Sequence, residues 1–378
     1  APSPLLNYSP NFKEIGLSTF KIDYNIDDLN ISVGNFYEQF GSGMILRSWE
    51  DKDLGINNSI RGLNAKYRIN DEINITALIG NQKKGFKYSK GYIVGFDSEF
   101  DLSKITKNNS TFLMGLSYVG RNDQRTKSSF YPEMTNLISG RIDFSSNSFY
   151  SNIELVNKSK NPIVIFGSLS DNFIKEGSAF LFNSGFFKNG FGLDFTFRRL
   201  ENMSLFSERE AFGNVYNESI VNYLPALTKQ HDYSLTNLYV YAAQPNVSFQ
   251  SKDLTKAGEI GMQADLYYFI EEETFLGGKY GTNLSINASV WNNLDGNYDY
   301  VNQNYDVDLF AENEITITEK ELDELIVEKI KQEYKIKILK DQLTKYVELD
   351  PEKLIHENGE YRHTVKELEQ KLFDIAEN

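Results

Sequence analysis

Residues 29–63 read LNISVGNFYEQFGSGMILRSWEDKDLGINNSIRGL, and the fold turns on how this stretch is parsed. It opens as an alternating strand, with Leu29, Ile31 and Val33 on one face and Asn30, Ser32 and Gly34 on the other, because residues two apart share a side of a pleated chain. The pattern predicts a path through Gly41 and Gly43, a continuation from Met44 to Trp49, a turn at Glu50-Asp51-Lys52-Asp53 and re-entry into a strand near Ser59. Arg47, Glu50, Asp51 and Arg61 bring both charge signs into this short span. Charges beside strong alternation describe a wall with one apolar face and one polar, water-filled face. A charged hairpin on a soluble sheet is the plainer alternative.

Working outward, the same rhythm of short strand, polar turn and short strand runs from about residue 17 to about residue 291. Phe112, Met114, Leu116 and Tyr118 alternate with Leu113, Gly115 and Ser117, and Ile138, Ile142 and Phe144 with Ser139, Arg141 and Asp143. Phe191, Leu193, Phe195 and Phe197 alternate with Gly192, Asp194, Thr196 and Arg198. Met262, Ala264 and Leu266 alternate with Gln263 and Asp265, and Leu284, Ile286 and Val290 with Asn283, Ser285 and Ser289. Period two over segments of ~8–10 residues is the strand signature. About fourteen strands are expected, with register open near 82–90 and 161–170. A soluble sandwich also gives apolar-in, polar-out strands. Long strands, short turns and two long connections, near 122–135 and 201–233, favour a membrane barrel. The fold class expected is all-β, an antiparallel meander forming an outer-membrane β-barrel, possibly incomplete.

Composition narrows the function classes. The chain has 378 residues, no cysteine and a formal net charge of −14. Disulfides and thiolate metal sites are therefore out, and nucleic acid is a poor general partner for so acidic a chain. No run of 18 apolar residues is present, which rules out a membrane-spanning helix and leaves barrel strands open. Ala1-Pro2-Ser3-Pro4 reads as the start of a processed chain or of a fragment, with residues 1–15 a leader without clear period.

The run from Val33 through Gly41-Ser42-Gly43 to Arg47, followed by Leu54 to Gly62, resembles an uncharacterised outer-membrane barrel family of Bacteroidetes-type bacteria. More loosely, it is similar to alginate-export-like porins. The resemblance touches Gly277 to Thr282 as well and covers roughly residues 15–300. It implies a place, the outer membrane, and a form, the barrel; it implies no reaction and no substrate.

From residue 318 the period becomes helical. Thr318 and Glu321 form a capping box, Asp350-Pro351 an N-cap with proline at the first helical position, and Thr364 with Glu367 a second box. Leu322, Leu325, Ile326, Ile330, Tyr334 and Ile338 make an apolar stripe. Residues 318–378 are expected to form a helical hairpin or coiled-coil-like tail, a packing surface for itself, the barrel or a helical protein partner. The intervening barrel is placed at 16–310.

Little in the chain points to covalent chemistry. Of the three histidines, His231 falls in a long connection, and His356 and His363 flank a helix break and share no helical face with a third ligand; solvated surface histidines are the plainer reading. Neither a nucleophile elbow nor a phosphate-binding loop is present. Asp295-Gly296-Asn297-Tyr298-Asp299 begins like a calcium loop but puts Tyr300 where glycine belongs, so an acidic hairpin is expected. The expectation is therefore a non-enzyme without cofactor or metal, located in the outer membrane with lipid as its partner. It would act as a passive channel or as an export or surface-assembly accessory. The alternative is a soluble secreted β-protein binding a polymer such as glycan. The residues proposed to line a polar lumen are Arg47, Glu50, Asp51, Arg61, Lys66, Arg68, Arg141, Asp143, Asp194, Arg198 and Asp265. They either select solutes or cross-link neighbouring strands and plug the middle.

Overall fold

The computed structural model describes residues 18–51, 56–105, 110–123, 131–165, 168–208, 219–224, 255–302 and 304–312. The chain divides into two units, Ala1–Asn313 and Glu314–Asn378, and every described residue belongs to the first. The leader, the helical tail and all three histidines lie outside the described residues.

The elements in order are β1 (Lys21–Ile26), β2 (Leu29–Phe36), β3 (Gln39–Phe40), β4 (Leu46–Arg47), β5 (Glu50–Asp51), β6 (Ile56–Asn57), β7 (Ile60–Asn70), β8 (Ile73–Lys84) and β9 (Lys87–Tyr88). They continue with β10 (Tyr92–Asp101), β11 (Thr111–Asn122), β12 (Met134–Ser145), β13 (Phe149–Ile165), β14 (Ser168–Lys188), β15 (Phe191–Glu201), β16 (Gly258–Ile270), β17 (Thr282–Asp299) and β18 (Asn304–Glu312). One 14-stranded sheet runs β1-β2-β7-β8-β10 and onward in sequence order to β18, with β9 paired to β8. Every pairing is antiparallel. The fold is an all-β antiparallel meander. Among the described residues β1 and β18 do not pair, so the sheet keeps two edges.

The strands alternate in direction, so β1–β2, β7–β8, β10–β11, β12–β13, β14–β15 and β16–β17 join at one end, here the short-turn end. The two longest breaks, between β2 and β7 and between β15 and β16, fall at the other, here the long-connection end, together with the shorter joins β8–β10, β11–β12, β13–β14 and β17–β18. The two regions of open register fall at this second end. There, β9 doubles back on β8, and the β13–β14 hairpin carries register shifts after Lys158 and Pro162.

Register shows how the alternation was used. Cross-strand partners share a face, and one row reads Ile73, Phe100, Met114, Ile142, Ile153, Phe182, Phe197, Met262, Val290 across nine strands without a polar interruption. A parallel row reads Ile22, Val33, Leu63, Ile79, Val94. This face is left largely bare: Leu116, Ile138, Leu155 and Ile286 are 57–66% exposed. Phe195 stands on it beside Phe182, with ring centroids 6.1 Å apart.

The opposite face is covered at the long-connection end. Leu78, Ile93, Val119, Leu137, Val156, Leu181 and Leu200, from seven successive strands, join one buried cluster with Phe40, Met44, Ile45, Leu46, Met203, Leu205, Val221 and Leu224. Seven strands laid flat would spread over roughly 29 Å. One compact layer touches them all because the sheet curls around it, which makes this the inner face.

The covering layer corrects the sequence reading of 41–59. Met44 to Trp49 does not extend the wall. Gly41 and Gly43 take φ of 53° and 95° and turn the chain onto the inner face. Three consecutive apolar residues, Met44-Ile45-Leu46, cannot be divided between lipid and water by alternation. All three are fully buried in the layer, held by the small pairs β3–β4 and β5–β6.

Candidate functional site

The inner face is the candidate site, and its geometry follows from register. One row reads Arg68, Asn74, Glu99, Gly115, Arg141, Glu154, Leu181, Arg198, Gly261, Trp291. At its centre the Arg141 guanidinium donates to Asp97 at 2.8 Å and to the Ser117 hydroxyl at 2.7 Å, and lies 3.4 Å from Glu99. Glu154 beside it accepts from the Ser139 hydroxyl at 2.6 Å. A cation held by two carboxylates and a hydroxyl in a largely buried setting fixes three strands to one another.

Glu154 also fastens the covering layer. Its second oxygen accepts from the Ser42 backbone N–H at 2.9 Å. Gly41 lies so close that a Cβ there would sit 2.9 Å from both Glu154 oxygens, so a side chain at this position would displace the carboxylate from its place. Elsewhere Gln82 donates to the Ile220 carbonyl at 2.5 Å, Arg121 to the Phe206 carbonyl at 2.9 Å and Lys158 to the Ser204 carbonyl at 3.2 Å. Within the layer, Asn222 donates to the carbonyls of Met44 and Met203, tying the segment after β2 to the segments after β15. The layer is a cap docked by apolar packing and latched by side chain to backbone bonds.

Toward the short-turn end the inner face is a polar lattice. Asn183 donates to Asn152 at 3.4 Å and accepts from Thr196 at 2.9 Å, and Asn152 donates to Asp143. Asp194 accepts from the Tyr150 hydroxyl at 2.6 Å and faces Asp265 across the β15–β16 pair. Asp265 accepts from Gln263 at 2.7 Å and Asn287 at 2.6 Å.

The proposed lining residues therefore separate. Arg141, Asp143, Asp194, Arg198 and Asp265 share the inner face of the wall, with Arg198 buried against Glu259. Lys66 and Arg68 are on the same face nearer the first edge, paired with Glu38 at 2.7 Å and Asp28 at 2.5 Å. Arg47 is in the cap, its guanidinium 4.3 Å from the Tyr223 ring and 5.4 Å from Trp49. Glu50 is exposed and accepts from Asn57 at 2.8 Å; Asp51 is in β5, and its side chain is outside the described residues. Arg61 is a correction. It aligns with Asn35 and Asn81 one step beyond Val33, Leu63 and Ile79 on the apolar face, because odd-numbered residues of β7 point outward there.

Asp97, Glu99, Ser117 and Glu154 were not anticipated. Their signal was present as alternation with Phe96, Phe100, Leu116 and Leu155. The calcium-like run falls on β17 and its turn into β18, where Asp299 accepts from Asn302. Among the described residues no group of three potential ligands is placed to hold a metal ion.

Three solved structures share the general run of the chain. OccK1 (OpdK) of Pseudomonas aeruginosa is 7% identical with a TM-score of 0.33, over 72% of this chain and 73% of that one. OccAB2 of Acinetobacter baumannii is 8% identical with a TM-score of 0.35, over 73% and 71%. A BenF-like porin of Pseudomonas fluorescens Pf-5 is 9% identical with a TM-score of 0.34, over 74% and 71%. Likeness this slight carries no argument. No curated protein matches the chain. A family model spans residues 1–358, and the chain belongs to that family, DUF6029, described as a family of unknown function.

Proposed function

We propose that this chain is the wall and cap of an outer-membrane β-barrel, with lipid against the apolar face and the inner face around a polar interior. The observation that carries the reading is the unbroken apolar row from Ile73 to Val290, bare of a second protein layer among the described residues. A soluble monomer exposes contiguous apolar patches of only a few hundred Å², whereas an apolar band on strands of 10–12 residues is what a bilayer requires. The two longest connections, between β2 and β7 and between β15 and β16, leave the same end of the sheet, which supports the same reading. The function is passive passage, or an accessory role in export or surface assembly, without covalent chemistry, cofactor or nucleic acid. Its capped interior favours regulated or selective passage over an always-open pore.

The test is solubility and gel migration. The full chain should need detergent or lipid vesicles to stay monomeric, and its mobility should shift on boiling. A monomer soluble in plain buffer, with no heat-dependent shift, overturns the reading.

A further inference from the structure

We propose that Arg61 is a binding site for the phosphate of an anionic lipid headgroup, one with no cation of its own to offset it, on the outer face of the wall; this rests on the barrel reading above. Arg61 is one register step beyond the apolar row Ile22, Val33, Leu63, Ile79, Val94, in a row with Asn35 and Asn81. That is where an apolar band gives way to headgroups, a depth at which a cation on the lipid side costs little. Its guanidinium carbon lies over two rings, 4.8 Å from the Phe20 centroid and 4.9 Å from the Tyr88 centroid. Among the described residues it makes no ion pair.

Both rings are held in place by Asn35. Its side-chain oxygen accepts from the Phe20 N–H at 3.3 Å, and its side chain meets the Tyr88 hydroxyl at 3.4 Å. The Asn35 N–H donates to the Phe20 carbonyl at 2.6 Å. That approach needs Gly34, whose φ is 111° and whose Cβ would lie 2.3 Å from the Phe20 carbonyl oxygen. The glycine and the arginine of the opening stretch thus build one structure. It borders a groove of about 420 Å³ lined by Phe20, Val33, Arg61, Asn81 and Tyr88. With no carboxylate partner among the described residues, the guanidinium keeps its N–H donors for another acceptor, and a phosphate offers the paired oxygens that such a fork can take. The flanking apolar residues Val33 and Leu63 would lie along the acyl chains.

The experiment reconstitutes the full chain in phosphatidylcholine vesicles doped with phosphatidylglycerol and counts the lipids retained on gentle delipidation by native mass spectrometry. The expected result is a preference for phosphatidylglycerol of about tenfold, as a charge-assisted bond gives. Arg61→Gln should remove it, Arg61→Lys should restore part of it, and the surface control Lys104→Gln should leave it alone. A preference unchanged in Arg61→Gln, with insertion and heat-shifted migration intact, overturns the site while sparing the barrel. Failure of the wild type to enter vesicles overturns the barrel. Millimolar inorganic phosphate occupying Arg61 as tightly as the lipid overturns the lipid source.

Discussion

The two ends of the inner face come from the same alternating pattern and have opposite characters. At the long-connection end, the inward positions are Leu78, Ile93, Val119, Leu137 and Leu200, sealed under Phe40, Met44, Ile45 and Leu46. At the short-turn end, they are polar: Asn183 bonds Asn152 and Thr196, Asp194 accepts from Tyr150, and Asp265 accepts from Gln263 and Asn287. The outer face keeps one apolar row from Ile73 to Val290 and turns polar beyond it at Asn35, Arg61 and Asn81. The comparison teaches that inward residues are chosen by what lies above them: a dry cap at one end, a wet lattice at the other. Arg141 and Glu154 stand at the border and serve both, tying strands on one side and holding Ser42 on the other.

The sharpest way to break this contrast is to remove a side chain from the dry end. Leu137 is fully buried beneath the cap. Leu137→Ala should cost about 3 kcal/mol in urea unfolding from lipid vesicles, through lost transfer energy and the cavity left behind. Protease cleavage within 37–59 should rise in parallel. A cost under about 1 kcal/mol would show that the cap is laid on the wall without packing energy. Next in size is the latch. Glu154→Ala leaves the Ser42 N–H and the Ser139 hydroxyl without their acceptor, while Arg141 keeps Asp97 and Glu99, and should cost about 2 kcal/mol. It should also free the cap to proteolysis, whereas a loss of stability with the cap still protected would make Glu154 a strand tie only.

How far the sequence carried this contrast depends on which signal each part leaves. The wall was legible, since period two in Phe191 to Phe197 or Phe112 to Tyr118 assigns sides without knowledge of neighbours. Arg141, Asp194 and Asp265 followed from the same parity. The cap was not legible as a cap. Met44-Ile45-Leu46 has no period, and a short apolar run reads equally as a buried strand; what buries it is 202–208 and 219–224, distant in sequence. Charge alone puts Arg61 in the interior, whereas its parity with Leu63, two residues on, puts it outside. Glu154 was missed because a single carboxylate between Ile153 and Leu155 looks like any polar inward position until Ser42 is brought to it.

The wet end sets the next prediction. Asn183 bonds to Asn152 and Thr196, and all three are partly accessible. Asn183→Ala should cost no more than about 1 kcal/mol, because water replaces the lost partners and no buried group is stranded. A cost equal to that of Leu137→Ala would mean the lattice is dry, and the two ends would no longer differ in kind.

The smallest effect belongs to the turns that close the wet end. Lys104 meets Glu72 there in an ion pair whose side chains are 75% and 34% exposed. The bond from Lys104 holds the Glu72 carboxyl below its usual range, and Glu72 in turn raises Lys104. For Glu72 the stabilisation is present above the carboxylate's unfolded pKa and is lost as pH falls through its lowered folded value. For Lys104 it is present below the ammonium's unfolded pKa and is lost as pH rises through the raised one. Both contributions are therefore complete at neutral pH, but solvent and salt screen a pair this exposed. Lys104→Gln should leave the neutral-pH unfolding midpoint unchanged within error and flatten only its decline in acid, most visibly at low ionic strength. A clear loss of stability at neutral pH and high salt would show that the short-turn end is held by its charges, against the view that packing under the cap carries this wall.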